Sequence, residues 1–136
     1  KVGHFIDFMP TFIDISGAAY PAEFNGEKVV PMQGQSLRPI FQNKDEERDK
    51  PIFWSFGKGK AIRYNNWRLV SDGNSSWSLY NMDDDKTETT DLSKKYPEIV
   101  RKLNEQYEDW LKSNPATKKK RKSKRKSKRK PKQSSK

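Results

Sequence analysis

Four short segments between residues 52 and 81 alternate apolar and polar residues, and residues that favour tight turns separate them. The segments cover residues 52–56, 60–64, 67–71 and 77–81. Their connections are Gly57-Lys-Gly, Asn65-Asn and Asp72-Gly-Asn, which contain residues that adopt a positive φ at little cost. This pattern predicts four antiparallel strands joined as a simple meander. Alternation places Phe53 on one face of the first strand and Ile52 with Trp54 on the other, as in a sheet with one packed and one partly wet face.

An amphipathic helix is predicted directly after the strands, from Pro97 to about residue 114. Pro97 suits a first helical turn, because the N–H that proline lacks has no partner there. Apolar residues then recur every three or four positions, at Tyr96, Ile99, Val100, Leu103, Tyr107, Trp110 and Leu111. This stripe needs an apolar partner, and the sheet is the nearest one. We therefore predict an α+β fold, in which a small four-stranded antiparallel sheet is packed by a C-terminal amphipathic helix.

The beginning of the chain predicts another helix of about three turns. Phe5, Phe8, Phe12 and Ile15 follow a helical spacing, and Gly17 marks the end of the helix. Residues 18–30 lack periodicity and predict a loop. Ser36 is predicted as the N-cap of a single helical turn, and residues 42–50 as a charged connection. Because the first helix is apolar on most faces, we expect it to leave apolar surface exposed unless another domain covers it.

The positive charge of the chain lies at its C-terminal end. The net charge is +11, but residues 118–136 contain 13 of the 29 lysines and arginines and no acid. The remaining 16 basic and 18 acidic groups give residues 1–117 a net charge of −2. The basic end repeats Arg-Lys-Ser-Lys and has too few apolar residues to bury, so it is predicted to be disordered. The absence of cysteine excludes disulfides and thiolate chemistry and leaves the compartment open.

Several of these stretches, in this order, resemble the C-terminal subdomain of the sulfatase family. They are Pro51-Ile-Phe-Trp-Ser-Phe-Gly-Lys-Gly-Lys-Ala-Ile-Arg, Trp77-Ser-Leu-Tyr-Asn-Met, Glu88-Thr-Thr-Asp-Leu and Tyr96-Pro-Glu-Ile-Val. His4-Phe-Ile-Asp-Phe-Met-Pro-Thr resembles the helix that joins the sulfatase catalytic domain to its C-terminal part, and Gly34-Gln-Ser-Leu resembles a turn that follows it. The resemblance divides the chain into three parts. Residues 1–50 are the helix and loop at the end of a catalytic domain, residues 51–114 are the C-terminal subdomain, and residues 115–136 are the basic tail.

Membership of this family implies hydrolysis of sulfate esters, either aryl sulfates or sulfated glycans, in a periplasmic or secreted enzyme. Complete sulfatases use calcium and a formylglycine made from a Cys/Ser-x-Pro-Ser/Ala-x-Arg motif. The stretch Ser113-Asn-Pro-Ala-Thr-Lys118 mimics that motif but has lysine where arginine is required. This stretch is therefore interpreted as a linker that ends the helix, and no catalytic residue is identified. His4 is the only histidine, and the acidic turn around Asp84 is interpreted as a connection without a metal. The chain alone is therefore predicted to be inactive, without a cofactor, and to pair with a missing catalytic domain.

Two sets of cations are candidates for binding. Lys58, Lys60 and Arg63 lie on or beside the first hairpin, where they either border a sulfated substrate or are solvated charges. The tail is expected to bind polyanions without specificity, through Lys118, Lys119, Lys120, Arg121, Lys122, Lys124, Arg125, Lys126, Lys128, Arg129 and Lys130. A stand-alone polyanion or nucleic-acid binding protein that acts through this tail is therefore the alternative to a sulfatase part. No run of residues is long and apolar enough to predict a membrane helix.

Overall fold

The computed structural model describes residues 1–44, 47–74 and 76–114. A 3₁₀ turn, Phe5–Asp7, leads into helix α1. The other elements follow in the order α1 (Phe8–Ser16), β1 (Glu23–Phe24), β2 (Glu27–Lys28), α2 (Arg38–Phe41), β3 (Ile52–Phe56), β4 (Gly59–Tyr64), β5 (Trp67–Ser71), β6 (Ser78–Asn81) and α3 (Pro97–Ser113). The basic tail, including every tail residue predicted to bind polyanions, lies outside the described residues. No helix among the described residues has the length and apolarity needed to cross a bilayer.

The predicted meander is confirmed. Strands β3, β4, β5 and β6 pair in that order, and each pair is antiparallel. Two-residue loops join β3 to β4 and β4 to β5, and Gly57 and Asn65 in these loops adopt φ of 59° and 53°. Such left-handed residues match the twist of a tight hairpin. The predicted strand boundaries differ from the observed ones by one residue, at the starts of β4 and β6.

One face of this sheet forms the core with α3, as predicted. Phe53, Ile62, Leu69 and Leu79 are direct cross-strand neighbours and form a row across all four strands. Leu103 and Tyr107 of α3 cover that row, and both are almost fully buried. The Tyr107 hydroxyl also donates a hydrogen bond to the Trp54 carbonyl at 3.1 Å. Burying this apolar row is the main driving force for packing the helix on the sheet.

The N-terminal segment lies against the other face of the sheet. The His4 ring meets the Trp54 ring edge-on, with 5.3 Å between the centroids. Ile52, on the same face as Trp54, is only 1% exposed. At the far end of β3 none of the described residues covers this face, and Phe56 is 91% exposed. The alternation of residues along β3 therefore predicts correctly which side chains share a face of the sheet. Which segment packs on each face depends on tertiary structure.

The first helix ends at Gly17, as predicted, but two details of the following residues differ from the prediction. Residues 18–30 contain a small hairpin, β1 and β2, where a loop was predicted. Asn25 and Gly26 adopt φ of 53° and 79° at its turn, the conformation that Asn-Gly favours in hairpins. The N-cap position of α2 is Leu37 rather than Ser36. The Ser36 hydroxyl instead donates to Asp14 at 2.6 Å and accepts from the Arg38 N–H.

Candidate functional site

A buried carboxylate organises the N-terminal segment. Asp7 is 0% exposed, and its two oxygens accept hydrogen bonds from the Arg48 guanidinium at 2.6 and 2.9 Å. Its oxygens also accept from the backbone N–H groups of His4 at 2.7 Å and Gln35 at 3.0 Å. Burial alone raises the pKa of Asp7, but the hydrogen bonds from Arg48, Gln35 and His4 outweigh it and hold the pKa below the ordinary value of 3.8. Asp7 is therefore a charged structural link.

A second polar contact and one glycine complete this link. The Thr11 hydroxyl donates to the Asp7 carbonyl at 2.6 Å and accepts from the Leu37 N–H at 2.9 Å. A Cβ on Gly34 would lie 2.2 Å from the Ile6 carbonyl oxygen, so only glycine allows the two backbone segments to approach so closely. Among the described residues, the first helix thus has no apolar partner for most of its surface, and polar groups hold it to the segment that contains Gln35, Leu37 and Arg48.

A cleft of about 780 Å³ opens beside this link, between the N-terminal segment and the hairpin that joins β4 to β5. Gln35 and Arg48 line one side, and Arg63, Asn65 and Asn66 line the other. The volume lies within the range typical of small-molecule sites. Cations and amides make up half of the lining residues, and Val2, Pro39, Ile40 and Met82 add apolar surface.

Arg63 and Arg68 are direct cross-strand neighbours on the sheet face opposite α3. Like charges in this position repel each other. Arg68 is neutralised, since its Nη1 lies 2.8 Å from a Glu88 carboxylate oxygen and its Cζ lies 5.5 Å from the centroid of the Trp54 ring. Arg63 makes no ion pair with any of the residues that the structure describes. Of the two guanidinium groups, only that of Arg63 lines the cleft.

The structure separates the three cations predicted near the first hairpin. Lys58 lies in the turn between β3 and β4, where its Nζ donates to the Asn74 side chain at 3.0 Å. Lys60 lies on the α3 side of the sheet, with its Nζ 5.7 Å from the centroid of the Trp77 ring. Arg63 lies on the opposite face, because it is three positions along the strand from Lys60 and residues an odd number of positions apart point to opposite faces. A substrate role for each of them stays a prediction, but they do not form one cluster.

The acidic turn after β6 caps its own backbone. The Asp85 carboxylate accepts hydrogen bonds from the N–H groups of Thr89 and Thr90, and these hold the pKa of Asp85 below 3.8. Within residues 1–44, 47–74 and 76–114, no group of three histidine, aspartate or glutamate side chains is placed to hold a metal ion. The calcium that the resemblance implies for a complete sulfatase therefore has no ligand set in this part of the chain.

Sequence reasoning missed the residues that build the cleft and its link, namely Asp7, Gln35 and Arg48. A signal for Asp7 was present, because a single carboxylate among Phe5, Ile6 and Phe8 is unusual unless it is paired. Its partner Arg48 is 41 positions away, in a stretch that showed only charge. No local pattern connects the two residues.

No protein-family model matches the chain, but individual relatives do. A sulfatase of Formosa agariphila is 29% identical over 134 residues, which cover 83% of this chain and 24% of the relative. An uncharacterized sulfatase of Schizosaccharomyces pombe is 30% identical over 113 residues, which cover 78% of this chain and 20% of the relative. Human arylsulfatase K is 25% identical over 112 residues, which cover 74% of this chain and 20% of the relative. The chain therefore spans a quarter or less of the length of these relatives.

Solved structures also match this chain over part of their length. Ps i-CgsB, crystallised in complex with k-i-k-neocarrahexaose, is 26% identical with a TM-score of 0.60, and the match covers 76% of this chain and 23% of that one. A 2-O GAG sulfatase is 22% identical with a TM-score of 0.57, covering 86% of this chain and 26% of that one, and shows likeness of fold alone. The neighbours of this chain in sequence and in structure are sulfatases, and the chain fits a C-terminal fragment of that family.

Proposed function

We propose that this chain is the C-terminal part of an enzyme that hydrolyses sulfate esters, and that the catalytic core belongs to a part of the protein beyond these residues. The observation that carries the proposal is the match with sulfatases, which covers about 80% of the chain. Arylsulfatase K and an N-acetylglucosamine-6-O-sulfatase of Bacteroides thetaiotaomicron are both among the relatives. Aryl sulfates and sulfated sugars are therefore the two substrate classes proposed.

The exposed apolar side of α1 supports a missing catalytic domain as the partner. Phe5, Phe8, Phe12 and Ile15 share one side of the helical segment, and their exposed fractions are 80%, 48%, 64% and 58%. Phe5 contacts Phe8, and Phe8 stacks on Phe12, so the rings form a continuous apolar stripe. Contiguous apolar surface of this kind marks an interaction site. We assign the stripe to the interface with the catalytic domain.

The coding sequence upstream of Lys1 tests the proposal. We expect an open reading frame that continues upstream in frame and encodes a Cys/Ser-x-Pro-Ser/Ala-x-Arg motif. The longer protein, produced with its formylglycine formed, should release sulfate from an aryl sulfate or a sulfated monosaccharide in the presence of calcium. The 136-residue chain, assayed as the matched control, should give no turnover above the buffer blank. A start codon directly before Lys1, or turnover by the isolated chain that survives repurification, would contradict the proposal.

The charge of residues 118–136 favours a second function, polyanion binding. Because residues 1–117 carry a net charge of −2, attraction to heparin or DNA is expected to come from the 13 cations of the tail. Affinity should fall steeply with salt and depend little on base sequence, since the cations replace condensed counterions without reading the bases. Deletion of residues 118–136 should abolish retention on heparin at ~0.15 M salt, where the Debye length is about 8 Å. Retention of the truncated chain would assign the binding to the folded body instead.

A further inference from the structure

The hairpin formed by β1 and β2 is exposed along its whole length. All residues of its two strands are exposed, and so are Asn25 and Gly26 at its turn. Beyond the paired strands, the Val29 N–H donates to the Ala22 carbonyl at 2.9 Å. A two-stranded hairpin without a packed face is only marginally stable in water. The turn at Asn25 is therefore expected to open more often than the turns of the four-stranded sheet.

The turn of this hairpin is also chemically reactive. Asn25 is the only asparagine of the chain that glycine follows. In an Asn-Gly pair the backbone nitrogen of the glycine can attack the side-chain amide carbon of the asparagine, because glycine has no side chain that blocks the approach. Among the described residues no backbone carbonyl accepts the Gly26 N–H, and a Cβ on Gly26 would meet no atom within 4 Å. The attacking nitrogen is therefore neither held by a backbone acceptor nor crowded.

Asn43 is a matched comparison for Asn25 within the same chain. Both side chains are exposed, and the two residues adopt similar φ angles of 55° and 53°. The N–H that follows Asn43 belongs to Lys44 and donates to the Pro39 carbonyl at 2.9 Å. That hydrogen bond directs the nitrogen away from the reaction, so conformation and exposure alone do not make Asn43 reactive.

The other asparagines are disfavoured by their surroundings. The N–H that follows Asn81 donates to the Asn66 carbonyl at 2.7 Å. Asn104 lies inside α3, where the following N–H belongs to the helical hydrogen-bond ladder. Asn114 precedes a proline, which has no N–H. Asparagines that precede a residue with a side chain are attacked more slowly, and these include Asn65, Asn66 and Asn74.

We propose that Asn25 is a site of spontaneous deamidation, which converts it to aspartate or isoaspartate and loosens the β1–β2 hairpin. The Gly26 nitrogen bonds to Cγ of Asn25, and the side-chain nitrogen leaves as ammonia, which carries away the proton that the Gly26 nitrogen gives up. Water then opens the cyclic imide. Opening at the side-chain carbonyl gives aspartate, and opening at the main-chain carbonyl gives isoaspartate. Water is the only co-reactant.

Both products weaken the hairpin. Each places a negative charge at position 25, close to Glu27, an exposed acid beside the turn, and like charges repel. Isoaspartate also adds a methylene group to the backbone, so the turn no longer has the geometry that joins the two strands. The ion pair between Asp7 and Arg48 lies outside the hairpin, so α1 should stay attached.

Incubation of the full chain at mildly alkaline pH tests the inference. The products are located by peptide mapping with mass spectrometry and by labelling with an isoaspartate-specific methyltransferase. We expect aspartate and isoaspartate to accumulate at position 25 before any other asparagine is modified, with release of an equal amount of ammonia. Asn25→Gln should lose the methyltransferase label, because glutamine would have to form a larger ring. Asn43→Gln is the matched control and should keep the label.

Three outcomes would overturn the inference. Equal rates at positions 25 and 43 would remove the selectivity that the hydrogen bond of Lys44 predicts. Modification of position 25 in the urea-unfolded chain but not in the folded one would show that the hairpin prevents the attack. In the modified chain, exchange of the Val29 N–H should be faster while that of the Leu37 N–H stays the same. Unchanged exchange at Val29 would refute the loosening of the hairpin.

Discussion

Replacing Asp7 by asparagine should release the N-terminal segment from residues 34–48. The substitution keeps the size of the side chain but removes the charge that Arg48 binds with two hydrogen bonds. The side-chain oxygen of asparagine can still accept from one backbone N–H, either that of His4 or that of Gln35. The other backbone N–H and one of the two Arg48 N–H groups would lose their acceptor.

The size of the effect follows from how deeply the pair is buried. The Asp7 side chain is 0% exposed and that of Arg48 is 9% exposed. Breaking a buried ion pair by removing one partner typically costs about 3–5 kcal/mol, because the remaining charge stays without compensation. We expect the lower end, about 3 kcal/mol, because asparagine retains one acceptor. Since about 1.4 kcal/mol corresponds to a factor of ten, the opening of the segment should become more than ~100-fold more frequent.

Amide hydrogen exchange measures that opening directly. The Leu37 N–H is the reporter, because it donates to Thr11 rather than to the substituted residue. Asp14→Asn is the control, since it removes an exposed ion pair with Arg38 in the same segment and should have a much smaller effect. A change of less than ~10-fold in Leu37 exchange, or an equal change in the control, would refute the reasoning that the buried pair holds the segment.

The same link predicts a dependence on pH. The pKa of Asp7 in the folded chain lies below 3.8, so ionised Asp7 stabilises the folded state. This contribution is complete above the unfolded pKa of 3.8 and is lost as the pH falls below it and through the folded pKa. The difference in Leu37 exchange between the native chain and Asp7→Asn should therefore shrink on acidification below pH 3.8. A difference that stays constant there would contradict the assignment.

Two further substitutions test the packing. Leu69→Ala should lower the free energy of unfolding by about 3 kcal/mol in urea denaturation followed by tryptophan fluorescence, because Leu69 is 0% exposed in the centre of the sheet; a loss below about 1 kcal/mol would be inconsistent with that position. Gly34→Ala should open the N-terminal segment in hydrogen exchange, because its Cβ would lie 2.2 Å from the Ile6 carbonyl oxygen. Gly3→Ala is its matched control, since a Cβ there meets only Leu37 methyl groups at 3.6 Å; equal effects of the two would exclude a steric cause.

The elements of the sheet and its helix could be predicted from the sequence because their signals are local. Alternation with a period of two defines each strand, Asn65-Asn66 supplies the turn, and Pro97 begins α3 where a missing N–H costs nothing. The resemblance to sulfatases was also visible, since the matching motifs are continuous stretches of sequence. One local signal was overlooked, because Asn25-Gly26 favours the hairpin that the structure contains.

The candidate site could be predicted only in part. Arg63 was identified as a cation beside the first hairpin, but grouping it with Lys60 ignored the alternation of strand faces, which places the two side chains on opposite sides of the sheet. Gln35 gave no signal in the sequence, because only its place in the folded chain, where it lines the cleft, distinguishes it. That cleft exists only where the N-terminal segment and the β4–β5 hairpin meet.

The sequence by itself determined the strands, the amphipathic helix, their order and the family they resemble. The tertiary structure alone decided that Arg48 pairs with Asp7, that Arg63 opposes Arg68, and that the two faces of β3 meet different partners. Backbone period and turn chemistry act between neighbouring residues and leave a pattern in the chain. Desolvation and charge pairing act between residues that only folding brings together, and in this chain the buried pair joins residues 41 positions apart.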